Sequence, residues 1–274
     1  NMQREAFEDI LDQEFEEMPS QKDLLGRLKV AVLRRRLDGG EYRVERRMVP
    51  FMELVIRMTD AETDQEHLDM LVYNLTSIPD RTGFILGKTK ESPLPTLIRA
   101  GQALAEQGAE QIAVPCMTSH YFYRQLSEAV PVPVLNCLAE TADCLKAGGV
   151  ERAGILATTG TMETGIFRDA LLSRGIQPVA LSRERQADVM SLIYDDIKAN
   201  RPPRMELFHR AGEELRQKGA EIVILGCTEL SLIKRDCPVG GQYLDTLEVL
   251  ARAAVRACGG KLNPRYRELI RQKM

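Results

Sequence analysis

Residues 99–116 read RAGQALAEQGAEQIAVPC, and residues 210–227 read RAGEELRQKGAEIVILGC. The offset is constant at 111 residues, and eight of the 18 positions are identical. Self-similarity at one fixed spacing marks a duplicated structural unit. Its first part spaces Leu97, Ala100 and Leu104 along one helical face. Gly108, and Gly219 in the second copy, follow as helix-terminating C′ glycines. A short apolar run comes next, Gln111–Val114 and Glu221–Leu225, ending at Pro115-Cys116 and Gly226-Cys227. Runs of this length without polar alternation predict parallel strands buried on both faces. Both cysteines therefore fall just beyond the C-terminal ends of strands, the edge of an open α/β sheet where ligands bind.

Working outward, Leu135-Asn136 and Leu244-Asp245 each end an extended segment before a helix. Those helices close at Gly148-Gly149 and Gly259-Gly260, again 111 apart. The expected fold class is α/β: two pseudo-symmetric lobes with mainly parallel sheets flanked by helices, plus an atypical helical N-terminal extension. The division expected is 1–47 for the extension, 48–134 with 240–274 for the lobe carrying Cys116, and 135–239 for the lobe carrying Cys227. A pseudo-two-fold axis between two such lobes would set the two cysteines opposite each other.

Composition narrows the function classes. The 274 residues are 44% hydrophobic and 28% charged with a net charge of −3, so no strong field favours nucleic acid or an anionic membrane. His67, His120 and His209 are scattered without metal-ligand spacing, and no metal is expected. Six cysteines without a CxxC pair read as reduced thiols of a cytoplasmic protein. The N-terminus is acidic, unlike a targeting peptide, and no apolar run reaches the roughly 20 residues that span a bilayer. Cys137, Cys144, Cys237 and Cys258 read as small buried hydrophobes. Cys116 and Cys227, repeated at matching strand ends, read differently. Two thiols on opposite sides of one carbon can remove a proton from one face and deliver one to the other. A thiol titrates near ~8.5, close enough to neutral for both tasks.

Pro115-Cys116-Met117-Thr118-Ser119-His120 and Gly226-Cys227-Thr228-Glu229-Leu230 resemble the two cysteine motifs of aspartate/glutamate racemases. Asp64–His67 and Ile78–Thr82 resemble further stretches of the aspartate racemase branch. The resemblance covers about Phe51 to Cys258. It implies a pyridoxal-independent isomerase, in most members a homodimer, that interconverts L and D acidic amino acids. Cys116 and Cys227 would be the catalytic pair. Arg81 would bind the distal carboxylate, a task suited to a planar guanidinium fork, and Lys198 would assist it. The turn Thr159-Gly160-Thr161 would take the α-carboxylate, although the same residues also read as an ordinary capped helix start. Thr118 and Thr228 are candidate hydroxyl donors. His120 and Glu229 are candidate orienting groups.

Two departures from the family pattern stand out. Met117 occupies a position usually held by asparagine. The second is larger. Shifting Ala153–Thr161 back by 111 gives Tyr42–Pro50, where the family has a strand and a Gly-rich turn. This chain reads YRVERRMVP there, too charged for a buried strand. Upstream, amphipathic spacing predicts helices, with Lys29–Leu33 (KVAVL) as an alternative, displaced first strand. The contrasting functional expectation is a catalytically impaired homologue that binds an acidic ligand or acts as an interaction protein.

Overall fold

The computed structural model describes residues 48–75 and 77–270. The helical extension and the alternative strand at 29–33 lie outside the described residues. Four parallel strands form one sheet: β1 (Arg152–Leu156), β2 (Gln177–Val179), β3 (Ile222–Leu225) and β4 (Tyr243–Asp245), in the order β2-β1-β3-β4. The register runs Ala153 opposite Ile222 through Leu156 opposite Leu225, and Val223 opposite Tyr243 through Leu225 opposite Asp245. All four side chains of β3 are fully buried, as an apolar run between two helical layers requires. Tyr243–Asp245 forms the edge of this sheet beside β3.

The repeat is visible in the helices. Leu94–Glu106 and Met205–Gln217 start and stop at equivalent residues of the two copies. Gly108 and Gly219 follow them with the same φ of 86°, a left-handed conformation that a side chain would oppose. Both helices meet neighbours at matching glycines, Gly101 against Val130 and Gly212 against Tyr243.

The sheets of the two copies differ. Residues 111–114 of the first repeat, expected as a strand, are reduced to one parallel bridge between Ile112 and Val134. The Ile112 N–H donates to the Pro133 carbonyl at 2.9 Å, and the Leu135 N–H to the Ile112 carbonyl at 2.8 Å. On their other side no backbone hydrogen bond reaches residues 71–75 among the described residues. Among the described residues, only the segment around Val134 pairs with this run. In the second repeat β1 lies between β2 and β3, whereas in the first no described residue occupies that place. The apolar cluster there is correspondingly small, built on Ile112, Leu126, Val130 and Val134.

The helix Thr246–Ala257 ties the halves together, packing on Met48–Met58 and on Cys137–Ala147. Among the described residues, no helix is long and apolar enough to cross a membrane.

Candidate active site

Both repeated cysteines end extended segments and begin helical turns. Cys116 precedes the 3-10 turn Met117–Phe122, and Cys227 precedes the helix Thr228–Asp236. Each has extended backbone, with φ near −150°. The tight strand-to-helix turn carries each thiol to the sheet edge. The two thiols, with Arg81, Thr118, Lys198, Thr228 and Glu229, line one crevice. The free space within it is about 10 Å³, roughly that of a single water.

The environments of the two thiols are opposite in sign. For Cys116, burial by itself pushes the thiol up, but the Arg81 guanidinium and hydrogen bonds from Ser119 outweigh it, so the net shift is downward. Cys227 is pushed well above its ordinary value by burial and then by the Glu229 carboxylate, with Lys198 opposing. The Cys227 thiol donates to Glu229 Oε2 at 2.8 Å, and the Thr228 hydroxyl donates to the same oxygen at 3.3 Å. Burial therefore disfavours both thiolates, and the neighbouring charge decides between them: a cation beside Cys116, a carboxylate beside Cys227. Lys198 caps the π-helical segment Leu192–Ile197, with its ammonium 3.7 Å from the Tyr194 ring centroid. Single π turns recur at functional sites because they swing one side chain out of helical register.

Several expected site residues lie elsewhere. Thr159, Gly160 and Thr161 do not line this crevice; Thr158 does. The Thr158 hydroxyl caps its helix by accepting from the Thr161 N–H at 3.3 Å, so here the turn serves as a helix start. The Thr159 N–H is directed at the Met190 sulfur, 3.1 Å away. Thr161 is buried, its hydroxyl 2.9 Å from that of Thr118 and 3.0 Å from that of Thr158. Gly160 lets the turn press against Thr82, where an added Cβ would lie 3.1 Å from the Thr82 Cα. His120 is also outside the crevice. Its Nδ1 lies 3.2 Å from the Cys116 carbonyl, and its Nε2 accepts from the Cys137 N–H at 3.2 Å. Burial depresses its pKa, which keeps the ring neutral. It braces the backbone that carries Cys116. Met117, in contrast, borders the crevice, although it is 1% exposed and packs mainly into the core.

The crevice also holds Asp80 and Thr82, which sequence reasoning passed over although they flank Arg81. Asp80 caps the helix Arg81–Ile85, accepting from the Gly83 N–H at 2.7 Å, and so fixes the start of the helix that bears Arg81. Ser119, three residues beyond Cys116, is the other omission. A polar residue at that spacing in a one-turn helix was the available signal. Among the described residues, no group of three or more His, Cys, Asp or Glu could hold a metal ion.

A profile of the Asp/Glu/Hydantoin racemase family matches residues 49–254. The chain belongs to that family. This chain is similar to several racemases. It is 26% identical over 213 residues to the broad specificity amino-acid racemase RacX of Bacillus subtilis (strain 168), covering 75% of this chain and 90% of that protein. The aspartate racemase of Picrophilus torridus superposes with a TM-score of 0.69 at 27% identity, covering 82% of this chain and 94% of the other. An aspartate racemase homologue from Pyrococcus horikoshii OT3 shares the fold, with a TM-score of 0.63 at 23% identity over 78% and 94% of the two chains.

Proposed function

We propose that this chain interconverts the L and D forms of an acidic amino acid, aspartate or glutamate, without a cofactor, using Cys116 and Cys227 as base and acid. The observation that carries the reading is the opposed tuning of two thiols in one crevice. Racemisation needs one thiolate and one thiol at the same moment, and the charges of Arg81 and Glu229 separate the pair in that sense.

In the favoured direction the Cys116 thiolate removes the Cα proton and becomes a thiol. The electron pair left on Cα delocalises into the α-carboxylate. Cys227 then gives its proton to the opposite face and becomes the thiolate, its sulfur released from Glu229. Arg81 and Lys198 supply the positive charge that a distal carboxylate requires. The Thr118 and Thr228 hydroxyls would turn from Thr161 and Glu229 to hydrogen-bond the α-carboxylate as it gains charge. The resting crevice holds about one water, so the amino acid enters only when its walls separate. The same reading carries a cytoplasmic homodimer with no nucleic-acid or membrane partner.

The test is proton exchange in deuterium oxide. Each enantiomer of aspartate and glutamate is incubated with enzyme, and Cα deuterium is read by NMR at early times. Deuterium is expected in the product enantiomer, with the remaining substrate unlabelled. Cys116→Ala and Cys227→Ala each lower the rate by about 10²–10⁴-fold or more, the range of a lost general acid or base. Absence of exchange with all four compounds would sink the proposal. A second reading, binding of an acidic ligand without turnover, is favoured by the closed crevice and by Met117. It predicts saturable binding of the same compounds by calorimetry with no exchange.

A further inference from the structure

The two cysteine-bearing turns are joined through the core by a chain of buried hydrogen bonds. Its outer links stand at positions 111 apart, His120 and Ser231. His120 has its Nδ1 3.2 Å from the Cys116 carbonyl and accepts through Nε2 from the Cys137 N–H at 3.2 Å. In the second copy the Ser231 N–H donates to the Cys227 carbonyl at 3.3 Å, and the Ser231 hydroxyl donates to Asp245 Oδ1 at 2.6 Å. Each residue thus ties a cysteine's turn to the start of the helix that follows, Cys137–Ala147 or Thr246–Ala257. The first residues of those two helices meet. The Cys137 thiol donates to the Thr246 carbonyl at 3.3 Å. The Thr246 hydroxyl donates to the Leu225 carbonyl at 2.8 Å, at the end of β3 and two residues before Cys227. His120, Ser231, Cys137, Asp245 and Thr246 are all buried. Burial also pushes the Cys137 thiol up, which keeps it protonated and able to donate.

We propose that Cys137 and Thr246 are positioning residues that set the Cys116 turn against the Cys227 turn, through the contact between the two helix starts. The inference rests on the racemase reading, in which both sulfurs must reach one carbon. The links through His120 and Ser231 refer each turn only to its own copy. The bond from the Cys137 thiol to the Thr246 carbonyl crosses between the copies and refers one turn to the other. Neither Cys137 nor Thr246 lines the crevice, so both act through the backbone they hold. A buried donor or acceptor left without its partner is costly, so the chain of bonds favours one arrangement of the two turns. Its accuracy matters, because a misplacement of about 1 Å can lower a rate by about 100-fold. Arg81 and Lys198 stand on other elements, the helix Arg81–Ile85 and the end of the π-helical segment, so substrate binding is spared.

Kinetics of Cα exchange with aspartate and glutamate compare the full chain with Cys137→Ala and Thr246→Val, and with the conservative Cys137→Ser and Thr246→Ser. Cys137→Ala and Thr246→Val are expected to lower kcat about 10–100-fold with KM changed less than about 2-fold. Cys137→Ser and Thr246→Ser keep a hydroxyl donor and should restore most of the rate. A second measurement uses no activity. Cysteine labelled with ¹³C at Cβ reports both crevice thiols by NMR, with resonances assigned through Cys116→Ser and Cys227→Ser. Cys137→Ala should move the Cys227 resonance as well as that of Cys116, and Cys137→Ser should return both. If Cys137→Ala does not fold, Thr246→Val and Thr246→Ser carry the same comparison. Absence of exchange in the unmodified protein ends the racemase reading and leaves the NMR comparison to decide the positioning. Movement of the Cys116 resonance alone, or of neither, overturns the proposal. So do equal rates for Cys137→Ala and the unmodified protein, or a loss that lies wholly in KM.

Discussion

The two repeats began from one pattern and now hold their cysteines differently. Around Cys227 the sheet is complete: β3 has a strand on each side, and the helix Thr228–Asp236 is sealed beneath buried Leu230 and Ile233. Around Cys116 the supporting segment pairs on one side only and opens onto an apolar groove. Charge follows the same division, with a guanidinium on the open side and a carboxylate on the sealed side. Burial raises the pKa of both thiols, and only beside Cys116 is it outweighed, by the guanidinium together with the Ser119 hydrogen bonds. The acid–base asymmetry therefore rests on the neighbouring charges rather than on the packing.

The largest expected contrast is in core truncation. Ile224→Ala in β3 removes a fully buried side chain between two strands and should cost about 3–4 kcal/mol in denaturant unfolding. Ile112→Ala, its partner position shifted by one residue from strict repeat spacing, truncates a side chain of the smaller cluster with Leu126, Val130 and Val134 and should cost less, about 2 kcal/mol. Equal costs at the two sites would mean that the first repeat is as well filled as the second.

Next comes the charge contrast, read from the pH dependence of kcat/KM in the direction where Cys116 is the base. Cys116 must be a thiolate, so activity rises as pH climbs through its pKa. Arg81→Gln raises that pKa and moves the acid limb to higher pH, with a loss of about 10–100-fold for an acidic substrate from the missing charged hydrogen bonds. Cys227 must be a thiol, so activity falls as pH passes its pKa. Glu229→Gln lowers that pKa and moves the alkaline limb to lower pH. A profile in which both substitutions move the same limb would break the assignment of opposite roles.

The smallest contrast concerns the matching glycines. An added Cβ at Gly212 would lie 2.1 Å from the Tyr243 hydroxyl, whose ring is held in β4. Gly212→Ala should cost about 1–3 kcal/mol, lowering the melting temperature by several degrees. At Gly101 the clash is 2.7 Å to one methyl of Val130, which can turn. The gain in helix propensity, about 1 kcal/mol, offsets much of that, and Gly101→Ala should leave the melting temperature nearly unchanged.

Much of this was legible in the sequence because it was written twice. The bounds of Leu94–Glu106 and Met205–Gln217, and the left-handed Gly108 and Gly219, are local features, and local features repeat cleanly. The meeting of Cys116, Cys227, Arg81, Lys198 and Glu229 was legible through their motifs. The reduction of 111–114 to a single bridge was not, since an apolar run becomes a strand only when a neighbour pairs with it along its length, and that pairing is not a local property of the run. Nor was the retreat of Thr159–Thr161 from the crevice. A Thr/Gly turn can cap its own helix or bind an anion, and the choice rests on which hydroxyl faces inward, which here is that of Thr158. Ser119, Asp80 and Thr82 were overlooked because each acts on a neighbour rather than carrying a recognisable chemistry of its own.

The water-sized free space of the crevice has a consequence for how tightly any ligand holds. Binding requires a conformation other than the resting one, and measured affinity is the intrinsic affinity scaled by the fraction of molecules that are open. The same closure shelters the Cys227 sulfur, 7% exposed, from bulky electrophiles. Weak capture of a ligand is thus the counterpart of a protected thiol.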